Sequence, residues 1–256
     1  MKNLVKTFFF ISITAIFLSS CSNDKNEKGK NFIKIIESTQ NGIVENSVFT
    51  YNDKQLVSAE NSKSKTDYTY NDGLITKVIT YSKTTNATIV VNYKYNNEKL
   101  TEVTSSENYV INYTHNSDGT VSYEKFTVDA KKQQQKVYHG TLVFKNQNLI
   151  KDERVFDDAD ENSVSSSKTT FDYDTFNNPY FSIVGFDKLL DQGAAISKNN
   201  IVMTVAETTV VSGEGTISSA NMYKTTFKYD SDDYPTEQVS EASLNNPNYS
   251  KIQYLY

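Results

Sequence analysis

The sequence predicts an all-β fold, an antiparallel meander of repeated hairpins that forms a curved open sheet or a partly closed barrel. Three observations carry this. The aromatic residues are 18 Tyr and 14 Phe with no Trp, and Tyr, Phe, Thr, Val and Ile suit a pleated, half-buried surface. Apolar and polar residues alternate with a period of two over Thr88 to Tyr95 and Val137 to Phe144, the pattern of a strand with one buried face. A unit also recurs along the chain, and internal repetition is the strongest pointer to architecture that a single sequence offers.

From the amino terminus, Lys2 and Lys6 precede a nearly unbroken apolar run from Phe8 to Leu18, followed by Ser19 and Ser20. This is the order of regions in a secretory signal peptide, predicted over residues 1–20. The run is too short for a permanent membrane-spanning helix. Leu18-Ser19-Ser20-Cys21 resembles the lipobox of bacterial lipoproteins. That resemblance implies that the Cys21 sulfur accepts a diacylglycerol, that the chain is cut before Cys21, and that the new amino group is acylated. Membrane lipid held through acylated Cys21 is therefore one expected partner, and two or more acyl chains make such an anchor effectively permanent. Residues 21–30 then read as the lipidated cysteine and a flexible tether, because Ser22 to Lys30 contains no apolar side chain. Ser22 after the cysteine implies the outer membrane by the rule known for enteric bacteria. Asp24 and Glu27 resemble the acidic cluster of surface lipoproteins but are interrupted by Lys25 and Lys28, so the periplasmic and surface-exposed faces both stay open.

Residues 31–256 read as a single β-repeat domain of roughly fourteen to sixteen strands, beginning near Phe32 to Glu37. Each repeat has two same-face residues at i and i+2, usually aromatic, an Asn/Asp-rich turn, and an apolar residue that restarts a strand. Phe49-Thr50-Tyr51-Asn52-Asp53-Lys54-Gln55-Leu56, Tyr68-Thr69-Tyr70-Asn71-Asp72-Gly73-Leu74 and Tyr93-Lys94-Tyr95-Asn96-Asn97-Glu98-Lys99-Leu100 are the clearest copies. Residues two apart on a strand face the same side, so both rings of a pair point into one layer. Asn and Asp tolerate the left-handed backbone a tight hairpin needs. The anchors Tyr51, Tyr70, Tyr95, His115, Phe144, Tyr173, Tyr229 and Tyr256 are spaced by 19, 25, 20, 29, 29, 56 and 27 residues, and the 56 reads as a lost copy or an insertion. Within that gap Gly185 to Gly193 predicts one short helix near 186–193, with Asp187 as N-cap and Gly193 closing it. Its apolar residues are placed to plug an open end or a concave face. Asp157 to Lys168 reads as an acidic, Ser-rich loop and Ala130 to Lys136 as a polar hairpin end.

These copies resemble the YD repeats of Rhs-type and teneurin-like proteins, most directly at Tyr173-Asp174 and Tyr229-Asp230. With Asn178-Pro179 before the helix and Asp233-Tyr234-Pro235 in a late copy, the whole chain is similar to YD-repeat-like lipoproteins of Bacteroidota. The resemblance implies a fold and a cell-envelope location, and no reaction.

The net charge of −5 becomes −7 when Lys2 and Lys6 leave with the signal peptide. An acidic chain is not drawn to nucleic acid, whose binders carry basic faces. Cys21 is the single cysteine, so the folded part holds no disulfide, zinc cluster or thiol nucleophile. The two histidines, His115 and His139, have no second His or Cys at ligand spacing. His115 stands at an anchor position otherwise filled by Tyr or Phe, which makes it a substitute for an aromatic. Asp158, Asp160 and Asn162 match the first three positions of a calcium loop, but Ser163 replaces the turn glycine and Thr169 the bidentate Glu. Asp230, Asp232 and Asp233 read as a surface turn. No catalytic residue, metal ligand or cofactor follows from these patterns, and the chain reads as a non-enzyme. The expected function is a membrane-anchored envelope scaffold or binding module. A glycan- or lipid-binding accessory protein of an outer-membrane uptake system, and a hydrolase with an unrecognised site, are the alternatives. A glycan, a lipid or an envelope protein are the partner classes left open.

Overall fold

The computed structural model describes residues 29–39, 42–157, 163–242 and 249–256. The predicted signal peptide, Cys21 and most of the predicted tether lie outside the described residues, as do Asp158, Asp160 and Asn162. The first eight strands are β1 (Lys34–Thr39), β2 (Val44–Asn52), β3 (Gln55–Glu60), β4 (Ser64–Asn71), β5 (Leu74–Ser82), β6 (Thr88–Asn96), β7 (Lys99–Ser105) and β8 (Tyr109–His115). The second eight are β9 (Val121–Val128), β10 (Gln134–Lys145), β11 (Asn148–Phe156), β12 (Ser163–Asn177), β13 (Asn199–Ser212), β14 (Gly215–Tyr229), β15 (Pro235–Ala242) and β16 (Tyr249–Leu255). Each pairs antiparallel with its sequence neighbours, and β1 closes on β16 with Ile35 opposite Tyr254. The meander is thus a closed barrel.

All eight anchors fall at the ends of even-numbered strands, with Tyr256 just beyond β16, so the Asn/Asp turns gather at one end of the barrel. Both central residues of the Asp72-Gly73, Asn97-Glu98 and Asn146-Gln147 turns have positive φ, the geometry that matches the twist of paired strands. The pairing register shifts immediately before six anchors, at Tyr51, Tyr70, Tyr95, Phe144, Tyr173 and Tyr229. Each shift is a β-bulge, which bends the strand and increases its twist. In three of them the extra residue is a Thr whose hydroxyl donates across the ladder: Thr76 to Thr69 O, Thr101 to Lys94 O and Thr236 to Lys228 O. The tip of an anchor ring then reaches the strand-restart residue of the preceding hairpin. Tyr95 donates to Ile75 O at 2.7 Å, Tyr173 to Leu149 O at 2.6 Å and Tyr256 to Pro235 O at 3.0 Å. His115 Nε2 meets Leu100 O at 2.9 Å in the same way, so that nitrogen carries the proton. At Tyr95, Tyr173 and Tyr256 the anchor thus supplies both a ring to bury and a donor for a neighbouring carbonyl, whereas Tyr229 donates to Asp174 and the Tyr51 and Tyr70 hydroxyls are buried without a partner among the described residues.

The 56-residue gap is an insertion. Residues 178–198, between β12 and β13, fold back to cap the anchor end from within. The expected helix is present as three 3₁₀ turns, Pro179–Ser182, Phe186–Lys188 and Leu190–Ile196, and its predicted caps are corrected. Asp187 lies inside the second turn, Asn178 is the residue whose side chain caps, and Gly193 is a kink within the third turn with φ 57° and ψ −139°. Phe186, Leu189, Ala194 and Ile196 are all buried along this kinked segment. Asn178 staples the plug, its Oδ1 accepting Tyr180 N and its Nδ2 donating to Ala195 O and Ser197 O. The plug docks where Gly185, at φ 73°, meets Gly73; a Cβ on Gly185 would stand 2.6 Å from Gly73 O.

The apolar core gathers at this end, with Leu56, Ile75, Leu100 and Leu149 from the wall and Ile183 and Leu189 from the plug almost fully buried. Phe32, just before β1, seats edge-on among Phe49, Tyr51, Tyr180 and Tyr254. The chain enters here too: Lys30 pairs with Asp230, and Ile33 N donates to Leu255 O. Towards the opposite end, the mouth, the inward positions become hydroxylic, as at Thr66, Thr80, Ser165, Ser167 and Ser240. Strands make extensive contact only with ladder neighbours and the plug, so opposite walls do not collapse onto each other, as expected of a barrel this wide. Residues 215–224 of β14 are exposed on both faces, and this hairpin with β13 stands clear of the rim. Ser163 to Lys168 is part of β12 and not of a loop, and Gln134 to Lys136 belongs to β10.

Outward positions carry ion pairs between adjacent strands. Lys94 pairs with Glu102 at 2.5 Å, Lys168 with Glu207, and Glu237 with both Lys228 at 2.8 Å and Lys251 at 2.7 Å. Lys151 and Glu153 pair along β11 at 2.9 Å.

Candidate functional site

A cavity of about 310 Å³ lies inside the barrel, between the β8–β11 wall and the third 3₁₀ turn of the plug. Its wall is a set of tyrosines and charges. Tyr123 of β9 faces Gly140 of β10, and a Cβ on that glycine would lie 2.6 Å from the Tyr123 ring. The glycine leaves the ring room to lie against the wall, with its hydroxyl directed at β11. There Tyr123 donates to Asp152 and accepts from Arg154 Nε at 2.8 Å, while Arg154 also holds Asp152 through Nε and Nη2. Burial opposes the Arg154 charge, but the hydrogen bond and charge of Asp152 outweigh it and hold the guanidinium pKa above its ordinary value. Burial and then the bond to Asp152 raise the Tyr123 hydroxyl as well.

Around this triad the rings stand edge to face. Tyr123 and Tyr138 are 6.0 Å apart at 85°, and Tyr138 and Phe156 6.1 Å apart at 76°. Lys125 Nζ lies 4.4 Å from the Tyr109 ring centre and 5.7 Å from that of Tyr138. Arg154 lies 5.3 Å from the centre of the same Tyr138 ring, so two cations lie within cation–π distance of one aromatic ring. On the floor, Asp191 Oδ2 accepts from Tyr93 at 3.1 Å and Gln192 at 3.2 Å, while its Oδ1 is buried without a partner. Burial raises the Asp191 pKa.

Residues singled out from sequence lie elsewhere. His115 belongs to the anchor row, as its position implies. His139 is on the outer wall with Asp157, 2.9 Å away. Ser163 and Thr169 are ladder positions of β12. Asp230 accepts from Asp232 N, Tyr234 N and Lys30, and so builds the β14–β15 turn. No group of His, Cys, Asp and Glu suited to a metal occurs among the described residues. The basin residues escaped the sequence reading, although Arg154 is the chain's only arginine, which was a usable signal.

Comparison with solved structures matches the barrel. The chain is similar to the crystal structure of a porin-like protein from Bacteroides vulgatus, with a TM-score of 0.57 and 14% identity over 88% of this chain and 98% of that one. A porin-like protein from Bacteroides uniformis matches with a TM-score of 0.50 and 11% identity, over the same shares. The likeness is one of fold. No family model and no curated protein matches the sequence.

Proposed function

We propose that this chain is a bacterial envelope lipoprotein, similar to the YD-repeat-like lipoproteins of Bacteroidota, whose barrel stands in water as a non-enzymatic binding module. The observation that carries the reading is the outer wall. A barrel that spans a bilayer turns an apolar band outward and keeps polar groups inside. Here Lys94, Glu102, Lys151, Glu153, Lys168, Glu207, Lys228 and Glu237 face outward in ion pairs, and charged side chains near a bilayer midplane each cost roughly 2–4 kcal/mol. The porin-like layout therefore accompanies an inverted polarity, with the large apolar cluster inside. Membrane attachment falls to Cys21. From Cys21 to Gly29 the chain reaches at most about 28 Å, and Gly29 to Ile33 lies at the plugged end. The barrel is thereby held plug-down on its membrane, with its mouth away from it.

The basin favours binding over hydrolysis. Asp152 is committed to Arg154 and Tyr123, and no second free carboxyl faces Asp191 among the residues lining the basin, as a carboxylate pair would require. A wall of Tyr, Lys and Arg also suits a polar ligand better than an acyl chain.

Export of a Cys21→Ser precursor tests the reading. The expected result is loss of lipid labelling and release of the folded protein into the soluble fraction. Retention in the membrane without lipid would mean that the barrel itself is embedded.

A further inference from the structure

We infer that the luminal basin is a binding site for a small molecule that carries a carboxylate on a ring, held by Lys125 and Arg154 against the faces of Tyr109 and Tyr138. The inference rests on reading the barrel as a water-filled cup. Its first support is a cation without an ion-pair partner, in a basin whose two acids are Asp152, held by Arg154, and Asp191 on the floor. The mature chain is acidic overall, and the outward lysines named above are paired with acids. Lys125 is different. It points inward, on the same face of β9 as Val121 and Tyr123, and among the described residues no carboxylate lies within ion-pair distance of it. Its ammonium is held over the Tyr109 ring at 4.4 Å, an arrangement that orders a cation without neutralising it.

Arg154 supplies the second donor. Its Nε and Nη2 are used on Tyr123 and Asp152, whereas Nη1 has no partner among the described residues. The guanidinium is fixed from one side and presents its free edge on the other, so a bound anion would meet a donor already oriented. Lys125 and Arg154 lie 5.7 and 5.3 Å from the centre of the same Tyr138 ring, which sets an aromatic group beside two positive groups. A ring lies on that aromatic group, its carboxylate takes the cations, and its remaining polar edge meets tyrosine hydroxyls and the Ser/Thr wall beyond. The volume of about 310 Å³ is at the lower end for a ligand pocket, enough for one ring and not for an oligomer.

The same chemistry is carried by a uronic acid and by an aromatic acid, and the test separates them. The acylated mature protein in detergent micelles is titrated calorimetrically with glucuronate, benzoate and glucose. At least one carboxylate should bind, with glucose about tenfold weaker or worse, and preference for glucuronate or benzoate assigns the ring. Lys125→Met should weaken carboxylate binding by about tenfold or more, the loss of a charge-assisted contact, and Lys125→Arg should restore most of it. If Lys125→Met fails to fold, the wild-type salt dependence decides, because an ion-paired ligand weakens several-fold as salt rises. No binding by either carboxylate, equal binding of glucose, an unaltered affinity in folded Lys125→Met, or salt-independent affinity would overturn the inference. Membrane fractionation of the same preparations reports on the anchor alone, so loss of binding in a chain still held by its lipid sinks this site and leaves the proposed function standing.

Discussion

The two ends of the barrel are built by different means. At the plugged end, buried Leu, Ile and Tyr from successive hairpins meet residues 178–198, the Ile75 and Leu149 carbonyls beside the bulges accept from anchor rings, and buried Ser197 accepts from Leu149 N. Towards the mouth, the inward positions include many Ser and Thr, as at Thr66, Thr80, Ser165 and Ser167, and residues 215–224 bury neither face. Hydrophobic contact holds one end, and the hydrogen-bonded ladder with partly screened surface pairs holds the other. The lesson is that each repeat contributes its burial at one height only, where its aromatic pair, turn and bulge coincide. The barrel is thereby fixed like a ring clamped at its base, with its lumen left open above.

Substitutions sharpen that contrast. Leu149→Ala at the base should cost about 2–5 kcal/mol, as deletions in a packed core do, while Ile217→Ala on the projecting hairpin, 77% exposed, should change stability by less than about 0.5 kcal/mol. Urea denaturation of both variants measures this, and equal losses would erase the distinction between the ends. Tyr95→Phe keeps the ring but leaves Ile75 O without its donor; the expected loss is about 1–3 kcal/mol, and none at all would mean that the anchor hydroxyl is incidental.

A smaller, pH-dependent effect tests the floor of the basin. Burial raises the Asp191 pKa, so the folded state holds its proton more tightly than the unfolded chain. The group is neutral in both states below the ordinary carboxyl range of about 3.9. Its ionisation then costs stability as pH rises through the raised folded value. Asp191→Asn should accordingly gain stability relative to wild type at neutral pH, and the gain should shrink as pH falls towards 4. A difference independent of pH would remove the charge from the explanation.

Much of this base was legible in the sequence. Tyr-x-Tyr followed by Asn-Asp-Gly-Leu at 68–74 states two inward rings, a tight turn and a new strand, and eight anchors announced eight hairpins. Closure was not legible, because the pairing of Ile35 with Tyr254 is decided by accumulated twist over the whole meander and not by any local residue. The bulges were hidden because Thr76, Thr101 and Thr236 look like ordinary strand residues. They also explain why the basin went unseen. Strict alternation from Leu149 turns Lys151 and Glu153 inward, whereas the extra residue between Leu149 and Lys151 reverses the parity and brings in Asp152 and Arg154. The plug was visible as apolar content, but its 3₁₀ geometry depends on contacts with walls more than a hundred residues away, such as Gly73 and Lys54.

The central claim is that water, and not lipid, surrounds the barrel, and it can be read from lysine reactivity in intact membranes. Lys94, Lys151, Lys168 and Lys228 should be modified by an amine-reactive, water-soluble reagent as fast in the native envelope, once the face bearing the protein is accessible, as in detergent-free protein released by Cys21→Ser. Protection of these four lysines in the membrane, relieved only on extraction, would contradict the account.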